Sequence, residues 1–101
     1  MGELYDWLSQ QHHGLKTFKA FRNTLLDRIT TETPHRALYR LLAGITEEYI
    51  ARYDGEAVPV EVAEETFQHL LEIVAKAESA LSAPAAQQVQ ILNELAAARL
   101  V

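Results

Sequence analysis

The chain has 101 residues, 49% hydrophobic and 23% charged, with a formal net charge of −5 and no cysteine. That length holds one hydrophobic core, hence a single domain over residues 1–101, and the composition is that of a folded chain. Without thiols there can be no disulfide, thiolate nucleophile or zinc–sulfur centre, so the expected setting is a reducing cytoplasm.

The charge is polarised. Residues 1–43 hold six Lys/Arg against four Asp/Glu, a net +2, whereas residues 44–101 hold three against ten, a net −7. Two such halves attract across their facing rims when they pack together, and an acidic face could equally dock a basic partner.

At the N-terminus, Met1 to Trp7 has no basic region leading into an apolar run, so no signal peptide is expected. Asp6 stands where myristoylation needs Ser or Thr, and no apolar run approaches the ~20 residues that span a bilayer. Residues 3–12 read as a first helix with Leu4, Trp7 and Leu8 on one side. Gly14 weakens a helix by about 1 kcal/mol relative to Ala, yet the apolar series keeps its register across it. That favours near-continuity into the second helix. The second helix, Leu15 to about Thr30, points Leu15, Phe18, Phe21, Leu25 and Ile29 inward.

Thr33-Pro34 should start a third helix, with threonine as N-cap and proline at the first helical position. It runs to about Tyr53 with Ala37, Leu38, Leu41, Leu42, Ile45, Tyr49 and Tyr53 on the helical period. Gly44 marks a possible kink, and Thr46 a cap for a restart. Asp54-Gly55 is a stop, glycine suiting the left-handed conformation.

Val58 to Leu81 carries the clearest stripe: Ala63, Phe67, Leu70, Leu71, Val74, Ala77 and Leu81, opposite a polar side that includes Glu61, Glu64, Glu65, Gln68, Glu72, Lys76 and Glu78. This helix starts at Pro59 or soon after. Ser82 then caps a fifth helix with Pro84 in its first turn and Val89, Leu92, Leu95, Ala96, Arg99 and Leu100 along its stripe. The fold expected is therefore all-α, a compact antiparallel bundle of four to five helices. An aromatic or alanine-rich face should join it into a homodimer.

Few constellations carry chemistry. Glu65 and His69 share a helix face and could bind a metal with Glu47 or Glu48 from another helix, but the paired Glu-x-x-His signature of di-metal bundles is missing. His12 and His13 are adjacent and read as an exposed polar pair. His13-Gly14-Leu15-Lys16 resembles, over four residues, the phosphorylated histidine of histidine-phosphotransfer domains, which implies an exposed histidine with a lysine holding phosphoryl oxygens. Thr17 departs from the glycine of that family, and the histidine lies nearer the N-terminus than the family pattern has it. No phosphate-binding glycine loop and no Gly-x-Ser-x-Gly nucleophile motif occurs.

The residues best suited to a protein interface are Tyr5, Trp7, Tyr39, Tyr49 and Tyr53, each with an apolar body and a polar tip. Lys16, Lys19, Arg22, Arg36 and Arg40 make a candidate basic face, for a protein or for nucleic acid. An acidic domain repels phosphate, which argues against nucleic acid. The expectation is a cytosolic, non-enzymatic interaction module (a regulator, adaptor or assembly chaperone) without a cofactor. The alternatives are a metal or small-enzyme bundle using Glu65 and His69, and a nucleic-acid regulator using the basic half.

Overall fold

Phe18 sits where three helices meet. Its ring lies 4.5 Å from that of Tyr49 and 6.3 Å, edge-on, from that of Phe67. A computed structural model describes residues 2–101 and resolves them into five helices: α1 (Glu3–Ser9), α2 (Leu15–Thr31), α3 (Arg36–Tyr53), α4 (Val60–Ser79) and α5 (Ala85–Ala97). The described residues contain no strand, so the chain is an all-α bundle. Its Cα radius of gyration, 13.2 Å, is that of a packed domain of about 100 residues.

Amphipathic periodicity makes most of this architecture. Phe18, Phe21, Leu25 and Ile29 of α2 are buried, as are Phe67, Leu70, Leu71, Val74 and Ala77 of α4. Each of these helices is stable only because its stripe is covered. The α2–α3 hairpin is the largest contact, α1 packs on α4, and α5 closes against α3 and α4. Trp7 of α1 stacks on Phe21, with ring centroids 6.4 Å apart.

The helix ends differ from the expectation in four places. First, the chain breaks at Gly14 rather than running through it. Residues 10–14 leave the helix, and Gly14 is extended (ψ 160°) as α2 begins. The kept register deceived because α1 turns away to pack on α4, while α2 pairs with α3.

Second, α3 runs unbroken through Gly44. Thr46 caps nothing; it is buried, and its hydroxyl donates to the Leu42 carbonyl at 2.8 Å, satisfied within the helix. Third, Thr33 and Pro34 form a 3₁₀ turn (Thr33–His35) ahead of α3, and the threonine makes no capping hydrogen bond.

Fourth, Ser82 is likewise in a 3₁₀ turn, and Pro84 precedes α5 rather than lying inside it. The stripe of α5 is also rotated: Ile91 and Leu95 are buried, whereas Val89 is 56% exposed. The Asp54-Gly55 stop is as expected. Asp54 (φ −62°, ψ 125°) followed by Gly55 (φ 78°) makes a type II turn, which needs a residue tolerant of positive φ.

Candidate functional site

Eighteen residues of α3 divide into two faces. Leu38, Tyr39, Leu42, Ala43, Ile45, Thr46, Tyr49 and Ile50 are buried against the other helices. Ala37, Arg40, Gly44, Glu47, Glu48 and Ala51 are exposed. The outward residues follow the helical period as regularly as the inward ones, but small side chains replace large ones at 37, 44 and 51.

Beside this face runs an open groove between α2 and α3, lined by Arg22, Leu26, Arg40, Ala43, Gly44 and Glu47. Leu26 is 43% exposed at its edge. Gly44 lies in it without internal cause. A Cβ there would meet nothing within 4 Å, so no intramolecular packing requires glycine at that position.

Most of the cations are already engaged. Lys19 pairs with Asp54 and Arg22 with Glu47, each at 3.1 Å; Arg99 pairs with Glu48 at 3.2 Å. Arg28 holds both Glu3 and Glu32, Arg52 holds Glu56, and Lys76 holds Glu94. Arg36 donates from Nε to the Ile29 carbonyl at 2.9 Å. Among the described residues Lys16 and Arg40 alone of the Lys/Arg side chains make neither a salt bridge nor a hydrogen bond. Of the six basic residues in the first half, Lys19 and Arg22 pair with the acidic half, whereas Arg28 pairs with Glu3 and Glu32 of its own half, so the attraction expected from the uneven charge is only partly realised in ion pairs.

The candidate anchors scatter. Tyr39 and Tyr49, 0% and 1% exposed, belong to the core and offer nothing to a partner of the folded chain. Burial pushes the hydroxyl pKa of both above the usual tyrosine value; at Tyr49, Thr66 partly opposes the shift. The Tyr39 hydroxyl is buried without a hydrogen-bond partner, and the Arg28 guanidinium lies 5.8 Å from its ring centroid. Tyr5 and Tyr53 are partly buried against the core, and Arg52 covers the Tyr53 ring at 4.9 Å. Trp7, 39% exposed, is the one aromatic anchor left at the surface among the described residues.

The metal candidates do not assemble. Glu65 and His69 share α4, while Glu47 and Glu48 are held by Arg22 and Arg99. Among the described residues, no three His, Asp or Glu side chains converge as ligands. His13 lies in the loop before α2 with its Nε2 3.9 Å from Oε1 of Glu64, which places a carboxylate beside the imidazole.

One buried charge escaped the sequence reading. Glu78, assigned to the polar side of α4, is 8% exposed, and its carboxylate accepts the backbone N–H groups of Leu4 (3.0 Å) and Tyr5 (2.8 Å). It caps α1 from another helix, supplying a negative charge where the helix has unsatisfied donors. A Cβ on Gly2 would lie 2.3 Å from that carboxyl, so the glycine admits the cap. The outward face of α3 escaped as well, although its three- and four-residue spacing is plain in the chain. No protein-family model, curated protein or solved structure matches the chain.

Proposed function

We propose that this protein is a small non-enzymatic interaction module whose binding surface is the outer face of α3 with the adjoining α2–α3 groove. The observation that carries the reading is Arg40: an exposed cation without a partner, beside an exposed Leu26 and an unfilled Gly44, in a chain where most other Lys/Arg side chains are already paired. An apolar notch flanked by an uncommitted guanidinium is the chemistry of a protein interface, since arginine retains affinity for carboxylate while stacking on apolar surface. A cysteine-free chain with five packed helices suits a reducing, cytosolic setting.

Photocrosslinking in cells tests this. A photoreactive residue at Ala51, on the proposed surface, should trap protein at higher yield than one at Val89, which is exposed on α5. Equal or absent trapping at the two positions overturns the reading.

A further inference from the structure

Two apolar stripes run along α5, and the core uses only one of them. Ile91 and Leu95 are buried. About 110° round the helix lie Ala85, Val89, Leu92 and Ala96, spaced by four, three and four residues. Ala85, Val89 and Ala96 are exposed, and Leu92 is half-buried. That spacing is the seam of a two-helix coiled coil, with Val89 open to solvent at its middle.

The seam is also without charge. Of the thirteen residues of α5 only Glu94 is charged. It lies on the opposite side of the helix, where Lys76 holds it at 3.1 Å. The positions flanking the seam are Ala86 and Asn93 on one side, Gln88 and Leu95 on the other. By contrast α4 exposes Glu61, Glu64, Glu65 and Glu72. Two copies of a chain of net charge −5 repel, and least where neither presents a carboxylate.

We propose that α5 packs antiparallel on α5 of a second copy of this chain, about a two-fold axis between Gln90 and Ile91. Ala85 and Ala96 are equally far from that midpoint, and so are Val89 and Leu92. Antiparallel pairing therefore sets Ala85 against Ala96 of the second copy and Val89 against its Leu92. Small meets small and large meets large, in both halves of an isologous interface. The axis keeps each flank of the helix on its own side. A flank of one sign would thus meet its own sign, and here both flanks are neutral. Leu92 of the second copy stays on the flank where Leu92 and Gln88 line an open notch with Pro34 and Ala37, and its side chain has that notch to fill.

This pairing does not depend on the reading of α3. The α2–α3 groove lies on the flank of α3 where Glu47 meets Arg22, whereas α5 packs toward the flank where Glu48 meets Arg99. The groove is left free for a foreign partner. In the photocrosslinking comparison, Val89 then traps this chain alone, at twice its mass, and Ala51 is distinguished by trapping foreign protein.

A seam of about three turns makes a small interface, so the purified chain should pass from monomer to dimer between about 10 µM and about 1 mM in sedimentation. Val89→Glu should weaken the dimer about tenfold or more, because the axis brings the two new carboxylates together. Because the chain has no cysteine, introduced thiols report the register. In the antiparallel pair, position 85 of one copy lies about 16 Å from position 85 of the other, and the same holds for 96. Ala85→Cys and Ala96→Cys should therefore each link slowly alone. An equal mixture of the two should form a crossed disulfide much faster, as the bond needs Cα atoms within about 7 Å. A monomer at every concentration up to about 1 mM, a dimer indifferent to Val89→Glu, or a mixture that links no faster than either variant alone each overturns the proposal.

Discussion

The two faces of α3 obey different rules although they share one backbone. The inner face buries Leu38, Leu42, Ile45 and Tyr49, and its one hydroxyl satisfied within the helix belongs to Thr46. The outer face carries alanine, glycine and charge, and contributes little to holding the chain together. A helix designed only to fold would place alanine or lysine where Gly44 stands. The contrast separates residues that specify the fold from those available for association. The sharpest break is Leu42→Ala, which empties a fully buried site and should cost about 2–5 kcal/mol in denaturant unfolding. Arg40→Glu should leave the unfolding of the monomer within about 0.5 kcal/mol of wild type. Comparable losses from both would erase the distinction.

A second test concerns a residue that looks like outer-face chemistry but serves the interior. Glu78 is charged and nearly buried, and what it holds is the N-terminus of α1. Glu78→Ala removes two charge-assisted acceptors and strands two amide donors, for an expected cost of about 2 kcal/mol. Amide hydrogen exchange should locate the loss in α1, with the α2–α3 hairpin retaining its protection. Uniform loss of protection would mean that α1 is integral to the hairpin's stability.

Much of this was legible in the chain, for a physical reason. Long stripes such as Phe67 to Ala77 or Phe18 to Ile29 average over many residues, so the helix period shows through whatever the loops do. Helix ends rest on single residues, where tertiary contacts decide. Gly14 breaks the chain because α1 has somewhere else to pack, and Thr33 does not cap because the chain tightens into a 3₁₀ turn. Glu78 was hidden for the same reason: its donors lie more than seventy residues away, at Leu4 and Tyr5. Tyr39 and Tyr49 lie in the core rather than at an interface, and the pattern does not separate the two because an amphipathic ring suits either. On α5 the stripe is narrow enough that alanines mask its direction, and Ile91 rather than Val89 faces the core.

Gly44→Ala sharpens the comparison from the outer side. The position is mid-helix and a Cβ there meets open space, so replacing glycine should stabilise the monomer by about 1 kcal/mol. Denaturant unfolding of the purified chain measures it. No gain there would show that the glycine satisfies a strain within the chain.

The smallest expected effect probes the inner face through alkali. Burial raises the pKa of Tyr39 and Tyr49 above the ordinary value near 10, so the folded state binds their protons more tightly than the unfolded state does. The resulting stability is fully present below the unfolded pKa, about 10, and is lost as pH rises through the higher folded pKa. Unfolding free energy should therefore be flat from these groups at neutral pH and fall above about pH 10. Tyr39→Phe should flatten part of that alkaline fall. It should also be neutral or stabilising by up to about 1 kcal/mol at pH 7, because the hydroxyl it removes is buried without a partner. A loss larger than about 1 kcal/mol at neutral pH would mean that this hydroxyl is hydrogen-bonded, with Arg28 the nearest cation to supply the bond. Tyr39 would then join Glu78 as a polar group on which the interior depends.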